Sequence, residues 1–154
     1  MAAGDFARRG GYWVAAQGPL LVLAYGLPPL SGHALTGIER VVAIALVAGA
    51  IGLAVATKRR MGAAFTPYPK PLESGQLVTS GPFAYVRHPI YTSVIVAAGA
   101  WAWLFQSIPG AWCTLVLLVF FALKARREER WLAEAYPEYV AYQARVKRLV
   151  PFIY

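Results

Sequence analysis

Two short blocks hold residues whose types and spacing suit chemistry. Arg87-His88-Pro89 sets a cation and an imidazole directly before an apolar helix, and Glu128-Glu129 sets paired carboxylates about forty positions later. A helix N-terminus presents N–H groups without intrahelical partners and carries partial positive charge, so the first block favours a carboxylate or another anion. The second block offers acceptors to an ammonium. Carried on antiparallel neighbouring helices, the two blocks face each other across one pocket. Such a pocket suits a zwitterionic amino-acid group, with Phe83, Tyr85, Tyr91 and Val78 placed to cover a flat heterocycle. The polarity fits S-adenosylmethionine, and on its own it fits other ligands too.

The same residues have plainer readings. Arg87 and His88 before a proline-started helix also suit an interfacial anchor. Glu128-Glu129 among Arg126, Arg127 and Arg130 also suits a solvated charged face. His33 reads as a loop residue and Cys113 as packing. With only two histidines in the chain, no metal site is expected.

The elements that must position these blocks follow from composition. The chain has 154 residues, of which 58% are apolar and 14% charged, against about 25% charged in soluble domains. A disordered chain is excluded, and an ordinary soluble enzyme is disfavoured. The single cysteine excludes a disulfide framework. The reading is a single-domain, all-α integral membrane protein over 1–154, with about four transmembrane helices. The spans fall at about 12–27, 38–57, 89–105 and 109–123. A kink is expected at Gln17-Gly18-Pro19 in the first. Ala48, Gly49 and Gly52 are small enough for close helix contact in the second. The last two form a C-terminal helical hairpin turning at Gln106–Gly110, with Trp101, Trp103 and Trp112 as interfacial rings.

Four spans put both termini on one side, with fourteen of the fifteen Lys and Arg residues; only Arg40 lies opposite. That asymmetry predicts a cytoplasmic face carrying both termini, in an inner (cytoplasmic) membrane. It also accounts for the formal charge of +8, so no nucleic acid is expected as partner. No secretory signal peptide is expected. The two polar segments, about 58–88 and 124–154, therefore share that face. Lys124, Glu128, Leu132 and Tyr136 fall on one helix face. Tyr139, Tyr142 and Val146 form an apolar stripe in a last amphipathic helix that suits the membrane surface.

The run Leu77-Val78-Thr79-Ser80-Gly81-Pro82-Phe83, then Tyr85-Val86-Arg87-His88-Pro89-Ile90-Tyr91, a charge-free hairpin, and Arg127-Glu128-Glu129…Leu132…Tyr136-Pro137-Glu138-Tyr139…Tyr142…Val146…Pro151 resembles the isoprenylcysteine carboxyl methyltransferase family and the related phospholipid methyltransferases. The resemblance covers roughly 67–153. It implies an integral membrane methyltransferase using S-adenosylmethionine, with S-adenosylhomocysteine as product and the cofactor segments at 66–91 and 124–154. The cofactor-binding positions it implies are Gln76, Leu77, Val78, Phe83, His88, Pro89, Ile90, Tyr91 and Glu128. Glu128 is assigned to the cofactor ammonium and His88 with the helix start to its carboxylate. Arg87, Lys124 and Glu129 are the candidates for orienting the acceptor, and an amine acceptor would need a base, for which Glu129 or a tyrosine is the nearby candidate. Lys124 stands where carboxyl methyltransferases have an arginine, Gly75 where some members have a histidine, and Pro137 where a glycine is usual. The expected substrate is lipophilic and reaches the site sideways from the bilayer. Its chemistry, a carboxylate, a phospholipid amine or a thiol, is open, as are a non-catalytic scaffold and the oligomeric state.

Overall fold

The computed structural model describes residue 6 and residues 9–62, 65–70, 76–151 and 153. Gly75 and part of each cofactor segment lie outside the described residues. The described helices are α1 (Gly11–Gly26), α2 (Gly37–Met61), α3 (Pro89–Leu104), α4 (Ile108–Ala135) and α5 (Tyr139–Arg145). Short 3-10 turns at Pro28–Ser31 and Gly81–Ala84 link them. Among the described residues the fold is all-helical, apart from one isolated parallel bridge between Val86 and Lys147.

Three segments, Gly11–Ser31, Gly37–Met61 and Ile108–Ala135, are long and apolar enough to cross a membrane. The fourth, α3, is apolar but shorter, at 16 residues or about 24 Å. Pro89 starts it, and the turn after Leu104 stops it. The charge-free part of α4, up to Leu123, has the same length, so the two arms of the hairpin match. The rest of α4 projects beyond the apolar layer and carries Glu128 and Glu129.

The hairpin turn is tight. Gln106 sits at φ 48, and Ser107 caps α4 by accepting from the Gly110 N–H at 3.2 Å. A Cβ on Gly110 would lie 2.7 Å from Pro28 Cγ, so only glycine fits there. The α1–α2 connection is tied to the same turn: Leu35 N–H donates to Leu104 O at 2.8 Å and Ser31 Oγ to Phe105 O at 2.6 Å.

The core sits around α3. Ala24, Ala98, Leu117 and Phe121 are fully buried where α1, α3 and α4 meet. Tyr25 and Trp101 lock α1 to α3 through Tyr25 OH to Val94 O (3.0 Å) and Trp101 Nε1 to Tyr25 O (2.9 Å).

α1 is one helical element with Pro19 inside it. Two expectations change. On α2 the buried residues are Ala43, Ala50 and Thr57, at sevenfold spacing. Ala48, Gly49 and Gly52 are exposed, and a Cβ on either glycine would meet nothing within 4 Å. The tail stripe does not lie on a membrane surface: Tyr139 and Tyr142 are buried against Phe83. The tail's aromatic face is thereby used inside the protein.

Candidate functional site at the charged end of the hairpin

Two cavities adjoin where α3 begins and α4 leaves the apolar layer. Gln76, Leu77, Val78, Leu132, Tyr136 and Tyr139 line the first. The second is lined by Gln17, Phe65, Ile90, Val94, Phe121 and Lys124, with His88, Pro89 and Tyr91. Met61, Thr66, Phe83, Arg87 and Glu128 line both and form a shared wall. The α4 stripe Lys124, Glu128, Leu132, Tyr136 runs from the second cavity through this wall into the first.

The antiparallel hairpin brings His88 beside both glutamates. Its Nδ1 lies 3.7 Å from Glu128 Oε2 and its Nε2 lies 3.1 Å from Glu129 Oε1. The imidazole is buried and stacks on Tyr91 at 5.2 Å, which stacks on Phe121 at 4.7 Å. Tyr91 OH donates to Glu128 Oε2 at 2.6 Å.

Glu129 has a different environment. It is buried and lines neither cavity. Its Oε1 accepts from Arg87 Nε at 2.9 Å, and its Oε2 from Arg148 Nη2 at 2.7 Å. Arg87 also donates through Nη1 to the carbonyls of Gln143 (3.0 Å) and Val146. The backbone reinforces the join: Arg87 N–H donates to Lys147 O at 2.8 Å and His88 N–H to Arg148 O at 3.1 Å. Thr92 Oγ1 donates to Leu149 O at 2.7 Å. One carboxylate thus straps the tail to the start of α3, and the tail supplies a wall of the first cavity.

Lys124 is 2% exposed. Its Nζ donates to Gln17 Oε1 at 2.7 Å and to Pro67 O at 3.3 Å, and it lies 5.3 Å from the Tyr91 ring centre. Both hydrogen-bond partners are neutral oxygens, so its charge has no directly bonded counter-ion among the described residues.

Tyr142 OH donates to Phe83 O at 2.6 Å. Burial pushes this hydroxyl up to about 12, so it keeps its proton at neutral pH. Burial, then the charge of Glu129, raises Tyr139 further. The buried Tyr139 hydroxyl has no hydrogen-bond partner among the described residues, although its residue lines the first cavity. A buried donor left unmet costs about 1–3 kcal/mol.

The twelve expected site residues therefore gather at one end of the hairpin, divided over two cavities and one strap. Gln76, Leu77 and Val78 fall in the first cavity. Pro89, Ile90, Tyr91, His88 and Lys124 fall in the second. Phe83, Arg87 and Glu128 lie between, and Glu129 lies behind. Gln17, Met61, Thr66, Tyr139 and Arg148 were not expected. Gln17 carried a usable signal, as the one amide in an apolar span; Arg148 carried none.

A family model described as phospholipid methyltransferase matches residues 38–139, which include both motif blocks. The cobalt-zinc-cadmium resistance protein CzcN of Cupriavidus metallidurans is 32% identical over 126 residues, covering 79% of this chain and 56% of that protein. The nickel-cobalt-cadmium resistance protein NccN of Alcaligenes xylosoxydans xylosoxydans is 28% identical over 123 residues, covering 79% of this chain and 57% of its own. The matched region thus spans little more than half the length of these relatives. With two thirds of its length under the family model, this membrane-spanning chain belongs to the phospholipid methyltransferase family.

Proposed function

We propose that the chain is an integral membrane methyltransferase that uses S-adenosylmethionine and modifies a lipophilic acceptor. The observation that carries this reading is the wall shared by two adjoining cavities, with Glu128 in it. Family membership supports methyl transfer in general.

The residues present fit the cofactor. Glu128 offers a partly exposed carboxylate, at 24%, beside the His88 ring. The start of α3 has no side-chain cap. The apolar surfaces of Leu77, Val78 and Leu132 suit a flat heterocycle. When bound, S-adenosylmethionine supplies a methyl group already activated by its sulfonium.

In this reading Glu128 holds the cofactor ammonium, and His88 with the first turn of α3 holds its carboxylate. Gln76, Leu77, Val78 and Phe83 enclose the adenosine part. Pro89, Ile90 and Tyr91 shape the floor beneath the reacting groups. Arg87 and Glu129 position the wall through the tail strap. Met61 and Phe65 exclude water, which leaves alignment as the main catalytic contribution. The basic side is cytoplasmic by the positive-inside rule, and the acceptor arrives from the bilayer.

Lys124 favours an anionic acceptor, a carboxylate or thiolate. A buried ammonium held by neutral oxygens gains a counter-ion from such a group and repels an amine. The second reading is a phospholipid amine, in line with a family described as phospholipid methyltransferase. It draws on the Tyr91–Glu128 hydrogen bond, a route for removing a proton. The relatives' names speak of metal resistance and name no acceptor.

Native membranes given labelled methyl donor test this reading. Transfer to a lipid-extractable product supports the enzyme, and no transfer favours a scaffold. Mass spectrometry of the extract separates the acceptors, because methyl esters are lost in base and N-methyl groups survive.

A further inference from the structure

Lys124 is the first residue after the charge-free stretch that ends at Leu123. A lysine at that depth ordinarily extends its stem and sets its ammonium in water at the rim of the apolar layer. This one is 2% exposed and lines the second cavity together with Gln17. An ammonium only donates, so the oxygen of the Gln17 amide must face it, and Oε1 accepts at 2.7 Å. The amide's own N–H groups meet no acceptor among the described residues.

The contact is not needed to seat α1. Tyr25 and Trp101 already lock that helix to α3, and Ala24 shares a buried cluster with Leu117. Gln17 also lies outside residues 38–139, where the family model matches. What the amide does is hold a cation without cancelling it. Glu128, one turn along α4, acts on the ammonium through space. Its Oε2 accepts from Tyr91 and lies 3.7 Å from His88 Nδ1, and among the described residues no ion pair joins it to Lys124. Ile90, Val94 and Phe121 give the same cavity apolar surface. A long apolar chain against that surface sets its head at Lys124. An anionic head gains the ammonium charge, a neutral head gains only hydrogen bonds, and a cationic head is repelled.

We infer that Gln17 is a positioning residue that makes the second cavity selective for an amphiphile with an anionic head: it holds Lys124 in place and, being neutral, leaves the charge for that head. As a statement about the methyl acceptor this rests on the proposed function, so the test reads binding and transfer separately.

The probes are oleate, oleyl alcohol and oleylamine, titrated into the detergent-solubilised full chain and read by native mass spectrometry. The native chain should retain oleate about tenfold over oleyl alcohol, and oleylamine least. Gln17→Glu keeps the contact with Lys124 but supplies a counter-ion. Its melting by circular dichroism should be no lower than native, while the oleate preference falls about tenfold. Gln17→Met loses the contact and leaves the charge, so its melting falls and the preference drops only about threefold. A purely structural amide gives the opposite order, with methionine the worse variant and glutamate harmless. That order, an oleate preference kept by Gln17→Glu, or equal retention of oleate and oleyl alcohol by the native chain would overturn the inference. In native membranes given labelled S-adenosylmethionine, the maximal transfer rate of Gln17→Glu should fall about tenfold with KM for the donor within about twofold. An equal rise in that KM would overturn the inference too, by placing Gln17 with the cofactor. Absence of transfer by a native chain that still prefers oleate would sink the methyl-transfer reading alone and uphold this one.

Discussion

Lys124 Nζ and Gln17 Oε1 lie 2.7 Å apart across 107 positions of sequence. The contact joins α4 to α1 and fixes a buried cation in the wall of the second cavity. Two neutral oxygens hold it, Gln17 Oε1 and Pro67 O. The ammonium is thereby positioned without being neutralised by a directly bonded carboxylate.

Lys124→Met separates acceptor handling from cofactor binding. Affinity for S-adenosylhomocysteine should change by less than about threefold, while methyl transfer falls by about tenfold or more, the loss of one charge-assisted contact. Calorimetry and a labelled-donor assay measure the two. Equal losses in both would place Lys124 with the cofactor instead.

Glu129→Leu leaves Arg87, Arg148 and His88 without their common acceptor. Breaking a buried ion pair from one side costs about 3–5 kcal/mol. The partly exposed Arg148 side chain, at 15%, puts this case at the lower end. The melting temperature should fall, and hydrogen exchange should quicken at 143–149, where the strap is tied. An unchanged exchange pattern would show that the backbone bonds alone hold the tail.

The packing of α2 is open to a paired test. Ala50→Leu forces bulk into a buried contact and should destabilise by about 1–3 kcal/mol. Gly49→Leu, one residue away on the open face, should be neutral or slightly stabilising through helix propensity. Thermal melts in detergent compare them, and the opposite order would reverse the assigned faces.

That pair also marks the limit of what the residues reveal by themselves. Charge-free stretches located the spans and the hairpin, because lipid tolerates few charges. The hairpin then placed His88 near Glu128 and Glu129. Which side of α2 meets α3 was illegible, since a lipid-facing and a protein-facing side are both apolar and no 3.6-residue contrast remains. Ala43 and Ala50 do not differ in chemistry from Ala48. The different environments of Glu128 and Glu129 were hidden for another reason. Adjacent helical residues point about 100° apart, and the strap that captures Glu129 depends on Arg148, whose approach depends on the fold of the tail. Gln17 was read as part of a kink, and its partner lies on another helix. The stripe Lys124, Glu128, Leu132, Tyr136 was legible as one face, and that face runs through both cavities.

The most direct measurement is calorimetry of the purified chain with S-adenosylhomocysteine. The account expects saturable one-to-one binding that weakens at least about tenfold in both Glu128→Ala and His88→Ala, each the loss of one charge-assisted contact. Absence of binding by the native protein, or unaltered affinity in both variants, would contradict a methyl-donor site at the junction of α3 and α4.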